Sequence, residues 1–216
     1  MKPLLEIAGA ELVEKLNAVG VHKTYGEGEE IFAQGDTPRF VPVIVRGKVK
    51  MLRYPEPGKE LIIGIFRSGE IFAMPPAMDG KNYPATAVAM EETVMLTLPL
   101  LNFRRLLAES AEFSAIVLGQ MCGLLRETAE TMQNLATPSP ENRVGTVLLQ
   151  LAKKEQRHFD VKINVRRQDI AEMAGLATET AIRAVKRLED KGLVTIERGK
   201  ILIPQPELLS EFLRGA

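Results

Sequence analysis

Residues 167–186 have the sequence RQDIAEMAGLATETAIRAVK, which carries the spacing of a helix-turn-helix. Two crossing helices need a small residue at their closest approach, and Ala171 supplies it. Four residues later the turn needs a positive φ, which Gly175 adopts without strain. Thr178 is predicted to cap the second helix. The positions expected to be buried are all apolar: Ile170, Ala174, Leu176, Ala181 and Ala184.

The segments around this motif favour a winged helix. Residues 161–165 alternate as a short strand, and residues 191–203 are typical of a β-hairpin with Arg198-Gly199-Lys200 at its tip. An ordinary αα-hairpin would also fit the small-residue turn alone. A strand, two helices and a basic-tipped hairpin in this order indicate DNA binding instead.

The N-terminal part of the chain has a different period. From Tyr25 to Leu98, short β segments alternate with glycine turns about every ten residues, which is typical of a sandwich or barrel. Helical spacing is present at Ala10–Val19 and Leu100–Glu109, and a longer helix is predicted from Ala111 to Ala136. The predicted fold class is therefore α+β.

The longer helix carries an a/d series over three heptads. It could pack on its own β-domain, or it could form a parallel coiled coil with a second copy of the chain. The stripe consists of Ser114 and the six positions that we predict at the dimer interface: Val117, Met121, Leu124, Thr128, Thr131 and Leu135.

Two prolines break this helix in the sequence Thr137-Pro138-Ser139-Pro140, where Ser139 or Thr137 can cap the helix that follows. The predicted organisation is a sensor domain at 1–110, a dimerisation helix at 111–136, a hinge at 137–140 and a DNA-binding domain at 141–216.

Composition excludes several protein classes. Hydrophobic residues make up 45% of the 216 residues and charged residues 26%, which is enough apolar surface for a core and excludes a disordered chain. No apolar run approaches the roughly 18 residues of a membrane span, and acids interrupt the N-terminal segment, so we expect neither a membrane span nor a signal peptide. The single cysteine, Cys122, allows no internal disulfide. We expect a cytoplasmic protein.

Charge differs between the two halves although the total is zero, with 28 basic and 28 acidic residues. Residues 1–136 contain 14 basic and 17 acidic residues, and residues 137–216 contain 14 basic and 11 acidic residues. The net charge is thus −3 for residues 1–136 and +3 for residues 137–216. The positive C-terminal part could bind a polyanion, but a charge of this size does not by itself indicate such a partner.

Nearly the whole chain resembles the superfamily of the cyclic-AMP receptor protein and the fumarate–nitrate regulator (CRP/FNR). The shared order is a glycine-punctuated β-roll, that is, a double-stranded jelly roll like a cyclic-nucleotide-binding domain, followed by a long dimerisation helix, a hinge and a winged helix. The resemblance is most specific at residues 167–194. It implies a homodimeric bacterial transcription regulator that reads an inverted repeat in double-stranded DNA, with RNA polymerase as a further partner.

The family's base-reading positions fall on Thr178, Glu179, Ile182 and Arg183. Glu179 can accept from cytosine N4, and Arg183 can donate to guanine O6 and N7, so the family's GA step in each half-site should be kept. Ile182 could contact a thymine methyl. Glu179 and Arg183 could instead form a surface ion pair.

Other cations of this domain are interpreted as phosphate-contacting or solvated groups. They are Arg166, Arg167, Lys186, Arg187, Arg198 and Lys200.

The sensor half departs from the cyclic-AMP pattern. Relatives that bind cyclic nucleotides hold the ribose with a glutamate and the phosphate with an Arg-Ser pair. Here Met74 matches the glutamate, and Pro84-Ala85 matches the Arg-Ser pair, so cyclic AMP is not expected as effector. The predicted effector pocket comprises the residues of this cassette: Met74, Met78, Tyr83, Pro84, Ala85 and Thr86.

Two other cofactors, an iron–sulfur cluster and haem, require particular side chains as metal ligands. An iron–sulfur cluster needs about four cysteines, which the chain lacks. Residues 82–87, NYPATA, are similar to regulators of dissimilatory nitrate respiration, which sense nitric oxide through haem. Haem would need an apolar slot and an axial ligand, for which His22, Cys122 or a methionine is available; Cys122 is more readily interpreted as a buried inert thiol. The residues that could line the slot are Phe66, Phe72, Met74, Met78, Met90 and Met95.

Two further hypotheses stay open. A β-roll enzyme of the cupin type would need histidines and carboxylates converging inside the barrel, and the strands contain no such cluster, so we do not expect an enzyme. A constitutive DNA-binding dimer whose β-roll binds nothing fits the sequence as well as a ligand-controlled regulator does.

Overall fold

A computed structural model of the chain describes residues 3–56, 59–135, 139–153 and 159–214. The chain divides into two compact units, Met1–Arg126 and Glu127–Ala216. This division falls inside the long helix. The predicted hinge at 137–140 stays a prediction, because Thr137 and Pro138 lie outside the described residues.

The first unit contains the β-roll, built from two antiparallel sheets. One has the order β1-β7-β3 and the other β2-β6-β4-β5. Short strands separated by glycine turns were predicted for this region, and in β3 and β4 four consecutive residues are buried. The strands are β1 Val21–Tyr25, β2 Glu30–Phe32, β3 Phe40–Arg46, β4 Lys48–Glu56, β5 Lys59–Arg67, β6 Thr86–Ala89 and β7 Thr93–Pro99.

Two separate cores stabilise this unit. The inner core lies between the sheets, where Ile44 and Met95 of one sheet meet Val49 and Met51 of the other. The outer core lies between the first sheet and the helices, and it includes Leu96. The helices of this unit are α1 Leu4–Ile7, α2 Ala10–Val19, α3 Met74–Asp79, α4 Leu100–Glu109 and α5 Ala111–Leu135.

The second unit has the strand and helix order of a winged helix, which confirms the predicted fold class. Its small antiparallel sheet has the order β8-β10-β9. Ser139 caps α6 as predicted, since its Oγ accepts the Asn142 N–H at 3.4 Å. The elements are α6 Pro140–Lys153, β8 Val161–Ile163, α7 Arg167–Ala174, α8 Thr178–Asp190, β9 Thr195–Glu197, β10 Lys200–Ile203 and α9 Pro206–Arg214.

Candidate nucleic-acid interface and effector cassette

The turn between α7 and α8 has the predicted geometry. Gly175 lies in the left-handed region with φ 60°. The Leu176 N–H donates to the Ala171 carbonyl at 2.9 Å and closes the end of α7. Ala171 and Ala174 are buried as expected, whereas Leu176 is half-buried. This turn fixes the angle at which α8 leaves α7.

The cap of α8 differs from the prediction. The N-cap is Ala177, which has extended backbone and no side-chain cap, and Thr178 is the first helical residue. The Ala177 carbonyl accepts the first N–H groups of the helix, from Thr180 and Ala181, at 3.0 Å each. The Thr178 side chain is therefore one position too late to cap the helix.

The outer face of α8 presents three of the predicted base-reading side chains. Glu179 and Arg183 are exposed, and Ile182 is 47% exposed, while Thr178 is half-buried. Ala181 and Ala184 face the opposite way and are buried. Among the residues that the structure describes, no ion pair joins Glu179 to Arg183.

Several of the predicted phosphate-contacting cations have partners within the unit. Lys186 bonds Glu189 at 2.8 Å, and Arg187 bonds Glu141 at 2.6 Å. Arg166 donates hydrogen bonds to Asp169, and Lys200 donates one to Asn164 at 2.7 Å. Arg167 is half-buried, and this burial lowers the pKa of its guanidinium from the usual value.

Arg198 occupies the tip of the wing. It has φ 47° and precedes Gly199 with φ 77°. These two left-handed residues connect β9 to β10 by a tight turn that leaves Arg198 exposed.

Sequence reasoning missed three residues that hold this framework together. Arg143 donates from α6 to the carbonyls of Ala174 and Gly175 at the helix-turn-helix turn. Asp169 is fully buried and accepts two hydrogen bonds from Arg166, at 3.0 and 3.1 Å. A sequence signal existed only for Asp169, which follows Arg166 at helical i,i+3 spacing.

A third missed residue, Glu189, connects β9 to α8. Its carboxylate accepts the Ile196 N–H at 3.1 Å, and Lys186 holds the pKa of Glu189 below its usual value. The bond crosses from α8 to the backbone of β9, so no local sequence pattern indicates it.

In the sensor unit, the cassette residues do not converge on one pocket. Met74 points into the outer core between the first sheet and the helices, away from the interior of the roll. Met78 is 48% exposed and Pro84 is also exposed, so neither lines a buried slot. Of the six predicted pocket residues, only Tyr83, Ala85 and Thr86 are buried at the inner side of the second sheet or its edge.

Aromatic side chains occupy the interior of the roll next to these residues. The ring of Tyr83 stacks on Phe32 at 3.8 Å between centroids, and Phe32 lies 6.2 Å from Phe72. Phe66 stacks on Phe72 at 4.9 Å. The Tyr83 hydroxyl donates to the Phe40 carbonyl at 2.8 Å, and burial raises the pKa of Tyr83 to about 12.

Of the proposed haem ligands, His22 and Cys122 are not inside the roll, whereas Met95 is buried in its inner core. His22 is exposed on β1, where its Nε2 lies 3.2 Å from Asn17 Oδ1. Cys122 is exposed on α5, which corrects its interpretation as a buried thiol. The candidate slot residues are divided between the two cores, with Met74 in one and Met95 in the other. Within the described residues no cluster of three potential metal ligands occurs.

Part of the predicted a/d stripe of α5 packs on the chain's own β-domain, which is the first of the two alternatives given for it. Val117 is fully buried in the outer core beside Phe113, so it cannot contact a second chain. Met121 and Leu124 are half-buried and Thr128 is exposed, while the side chains of Thr131 and Leu135 lie outside the described residues.

An exposed apolar stripe runs one position further round α5. Leu118, Leu125 and Met132 are 61%, 70% and 68% exposed, and they are spaced by seven residues. Cys122 lies between the first two on the same face. This stripe has the same heptad period as the predicted one and lies one residue further along the helix, and the dimer interface itself stays a prediction. No described helix has the length and apolarity that crossing a membrane would require.

Comparison with known proteins agrees with this two-part organisation. The cyclic nucleotide-binding domain family matches residues 22–110, and the Crp-like helix-turn-helix domain family matches residues 142–212. The chain is 26% identical over 213 residues to the cyclic AMP receptor protein of Thermus thermophilus, covering 99% of this chain and 97% of that protein. It is 28% identical over 190 residues to the nitrogen fixation regulation protein FixK of Rhizobium meliloti, covering 86% and 84% of the two chains.

A solved structure shows the same fold. FixK2 from Bradyrhizobium japonicum superposes with a TM-score of 0.79 at 21% identity, covering 89% of this chain and 96% of that one.

Proposed function

We propose that this chain, which belongs to the CRP/FNR family of transcription regulators, is a homodimer that reads an inverted repeat in DNA and does not take cyclic AMP as its effector. The observation that carries the DNA-reading part is the exposed face of α8. Glu179 and Arg183 lie there on a helix whose opposite face is buried. We expect it to act in the cytoplasm with RNA polymerase.

The chemistry of that face supports a GA step in each half-site. The Arg183 guanidinium can donate two hydrogen bonds to guanine, and the Glu179 carboxylate can accept from cytosine on the opposite strand. Ile182 adds an apolar group suited to a thymine methyl. Because Glu179 and Arg183 do not form an ion pair with each other, both side chains are available to contact base edges.

Phosphate contacts would come from cations around this face. Arg198 at the wing tip is exposed. Lys200 can exchange the exposed Asn164, and Lys186 the exposed Asp190, for phosphate oxygens. Arg166 is a weaker candidate, because the fully buried Asp169 depends on it for two hydrogen bonds.

The exposed stripe of α5 supports a dimer interface with a different phase from the one predicted. Leu118, Cys122 and Leu125 follow a 4-3 spacing, which places them together in the seam of a parallel two-stranded coiled coil. A dimer would remove this apolar stripe from water.

The single cysteine makes the dimer testable. In a symmetric parallel pair, Cys122 faces its own copy, so mild oxidation or a short bismaleimide should cross-link the wild-type dimer. In the Cys122→Ser background, Leu125→Cys should also cross-link, whereas Arg126→Cys on the flank should not. A cross-link at residue 126 but not at 122 or 125 would contradict this phase.

The roll interior argues against cyclic AMP. The residue at the glutamate position, Met74, points into the other core, and Tyr83, Phe32 and Phe72 pack against one another in the inner core. No buried arginine or equivalent donor is present at Pro84-Ala85 to hold a phosphate. The roll therefore supports DNA binding that does not depend on a cyclic nucleotide.

One titration tests both parts. A labelled duplex with the inverted repeat and a scrambled duplex are titrated by fluorescence anisotropy, each with and without cyclic AMP. We expect preference for the inverted repeat that is lost when the GA step is changed, and no effect of cyclic AMP. A preference unaffected by the GA step would contradict the assignment of Glu179 and Arg183, and a shift on adding cyclic AMP would contradict that of the roll.

A further inference from the structure

A chain of polar contacts joins the start of α6 to α8, the proposed recognition helix. The Ser139 hydroxyl that caps α6 donates to Glu141 Oε2 at 3.2 Å. Arg187 Nη1, in the second half of α8, donates to Glu141 Oε1 at 2.6 Å. The bond from Arg187 holds the pKa of Glu141 below its usual value, so the pair is ionised at neutral pH.

The two charges differ in exposure. The Glu141 side chain is 14% exposed and that of Arg187 is 60% exposed. A carboxylate that has given up most of its water depends on its partner more than an exposed one does. Arg187 also lies one helical turn beyond Arg183, so the contact acts close to the proposed base readers.

We infer that Glu141 is a positioning residue, which orients α8 through Arg187 so that Glu179 and Arg183 reach the base edges together. On this inference Arg187 is bound to Glu141 in the DNA complex and is not a phosphate contact. The inference rests on the DNA-binding function proposed above. The competing possibility is that phosphate displaces Glu141 and takes Arg187.

Glu141→Gln separates these two possibilities, because they predict opposite changes. Binding to the inverted-repeat and scrambled duplexes is measured between low and moderate salt. If Glu141 positions α8, E141Q binds the inverted repeat about fivefold more weakly. Its affinity for the scrambled duplex and the slope of log K against log salt stay unchanged. If phosphate takes Arg187, E141Q binds both duplexes more tightly, because no carboxylate competes with phosphate for the guanidinium, and this outcome would overturn the inference.

The matched control is Glu207→Gln. Glu207 lies in the first turn of α9, as Glu141 lies in the first turn of α6, so both variants lose one acid from a helix start. The charge change is identical, and E207Q should leave the ratio of the two affinities at the wild-type value.

A charge swap gives a second, independent measurement. Arg187→Glu alone should lose the preference for the inverted repeat, and the pair Glu141→Arg with Arg187→Glu should recover most of it at the wild-type net charge. No recovery in a double variant with wild-type circular dichroism would overturn the inference. The swap decides the question also if E141Q proves unstable.

Failure of this inference can be told from failure of the proposed function. Wild-type protein that does not prefer the inverted repeat overturns the proposed function. Wild-type protein that prefers it, with E141Q equal to E207Q, overturns the positioning role alone.

Discussion

On the recognition helix, Glu179 and Arg183 are exposed and no described residue pairs with them, whereas the buried polar residues of the sensor cassette are bonded within the roll. Tyr83 donates to the Phe40 carbonyl, and Thr86 Oγ1 accepts the Gln34 N–H at 3.0 Å. A binding site needs groups whose hydrogen bonds are still available to a ligand. The exposed face of α8 has such groups, whereas the buried polar groups of the sensor cassette form hydrogen bonds within the roll.

The same difference extends to the apolar residues. Ile182 is left exposed at the centre of the face on α8, although Ala181 and Ala184 beside it are buried. In the roll, Phe32, Phe72 and Tyr83 contact one another. Substitutions should therefore affect DNA binding in one unit and the free energy of unfolding in the other.

The largest expected effect is on the stability of the roll. Phe32→Ala removes the ring that contacts both Tyr83 and Phe72, and we expect it to lower the free energy of unfolding by about 3–5 kcal/mol. All three tyrosines, at 25, 54 and 83, lie in the first unit and the chain has no tryptophan, so tyrosine fluorescence during urea unfolding reports on this unit. Leu101→Ala, at a side chain that is 80% exposed, is the control and should change stability by less than about 0.5 kcal/mol. A loss below about 1 kcal/mol for Phe32→Ala would show that the interior is not closed by this stack.

The next effect is on sequence recognition. Arg183→Ala removes the proposed guanine contact and should cost about 1–3 kcal/mol on the inverted repeat, with discrimination relaxed at one base pair. Tyrosine-detected unfolding of the roll should be unchanged. The measurement is anisotropy with duplexes substituted one base pair at a time. Equal weakening on every duplex would instead identify Arg183 as a phosphate contact.

Features that depend on residues close together in the sequence could be predicted, and features that depend on contacts between distant residues could not. The helix-turn-helix was predictable because its turn glycine and small crossing residue lie four positions apart. The base-reading role of Glu179, Ile182 and Arg183 was taken from the family resemblance and stays a prediction, although their exposure agrees with the single buried face of α8. The cap at Ala177 was missed, because residue type alone favours Thr178 by one position.

Long-range contacts account for the remaining errors. The sequence shows that α5 has a heptad period, but which phase faces the roll depends on Phe113 and Val117 meeting residues far away in the chain. Likewise, the sequence predicts Met74 in the effector pocket, whereas its side chain lies in the outer core, after a left-handed backbone conformation at Ala73. Nothing in the local pattern carries that information.

A smaller effect comes from the Tyr83 hydroxyl. Tyr83→Phe keeps the stack and removes the bond to the Phe40 carbonyl, which should cost about 1 kcal/mol at neutral pH. Because the folded state raises the pKa of Tyr83 from 10 to about 12, this contribution is complete below pH 10 and is lost as pH rises towards 12. The difference between wild type and variant should therefore shrink over that range. Ultraviolet titration should show one tyrosine ionising near pH 12 in the wild type and none there in the variant. A wild-type protein with no tyrosine ionising near pH 12 would contradict the bonded arrangement.

The smallest expected effect concerns the residue that directs Met74 away from the roll interior. Ala73 has φ 52° and ψ 33°, a left-handed conformation that costs a non-glycine residue roughly 1–2 kcal/mol. Ala73→Gly relieves this strain but loses a methyl group and adds freedom to the unfolded chain, so the net gain should be only about 0.5 kcal/mol. Ala87→Gly is the matched comparison, because Ala87 is fully buried in β6 and has no positive φ to relieve. It should destabilise the roll by about 1 kcal/mol. If the two variants lose stability equally, Ala73 is not strained, and the separation of Met74 from the inner core has another cause.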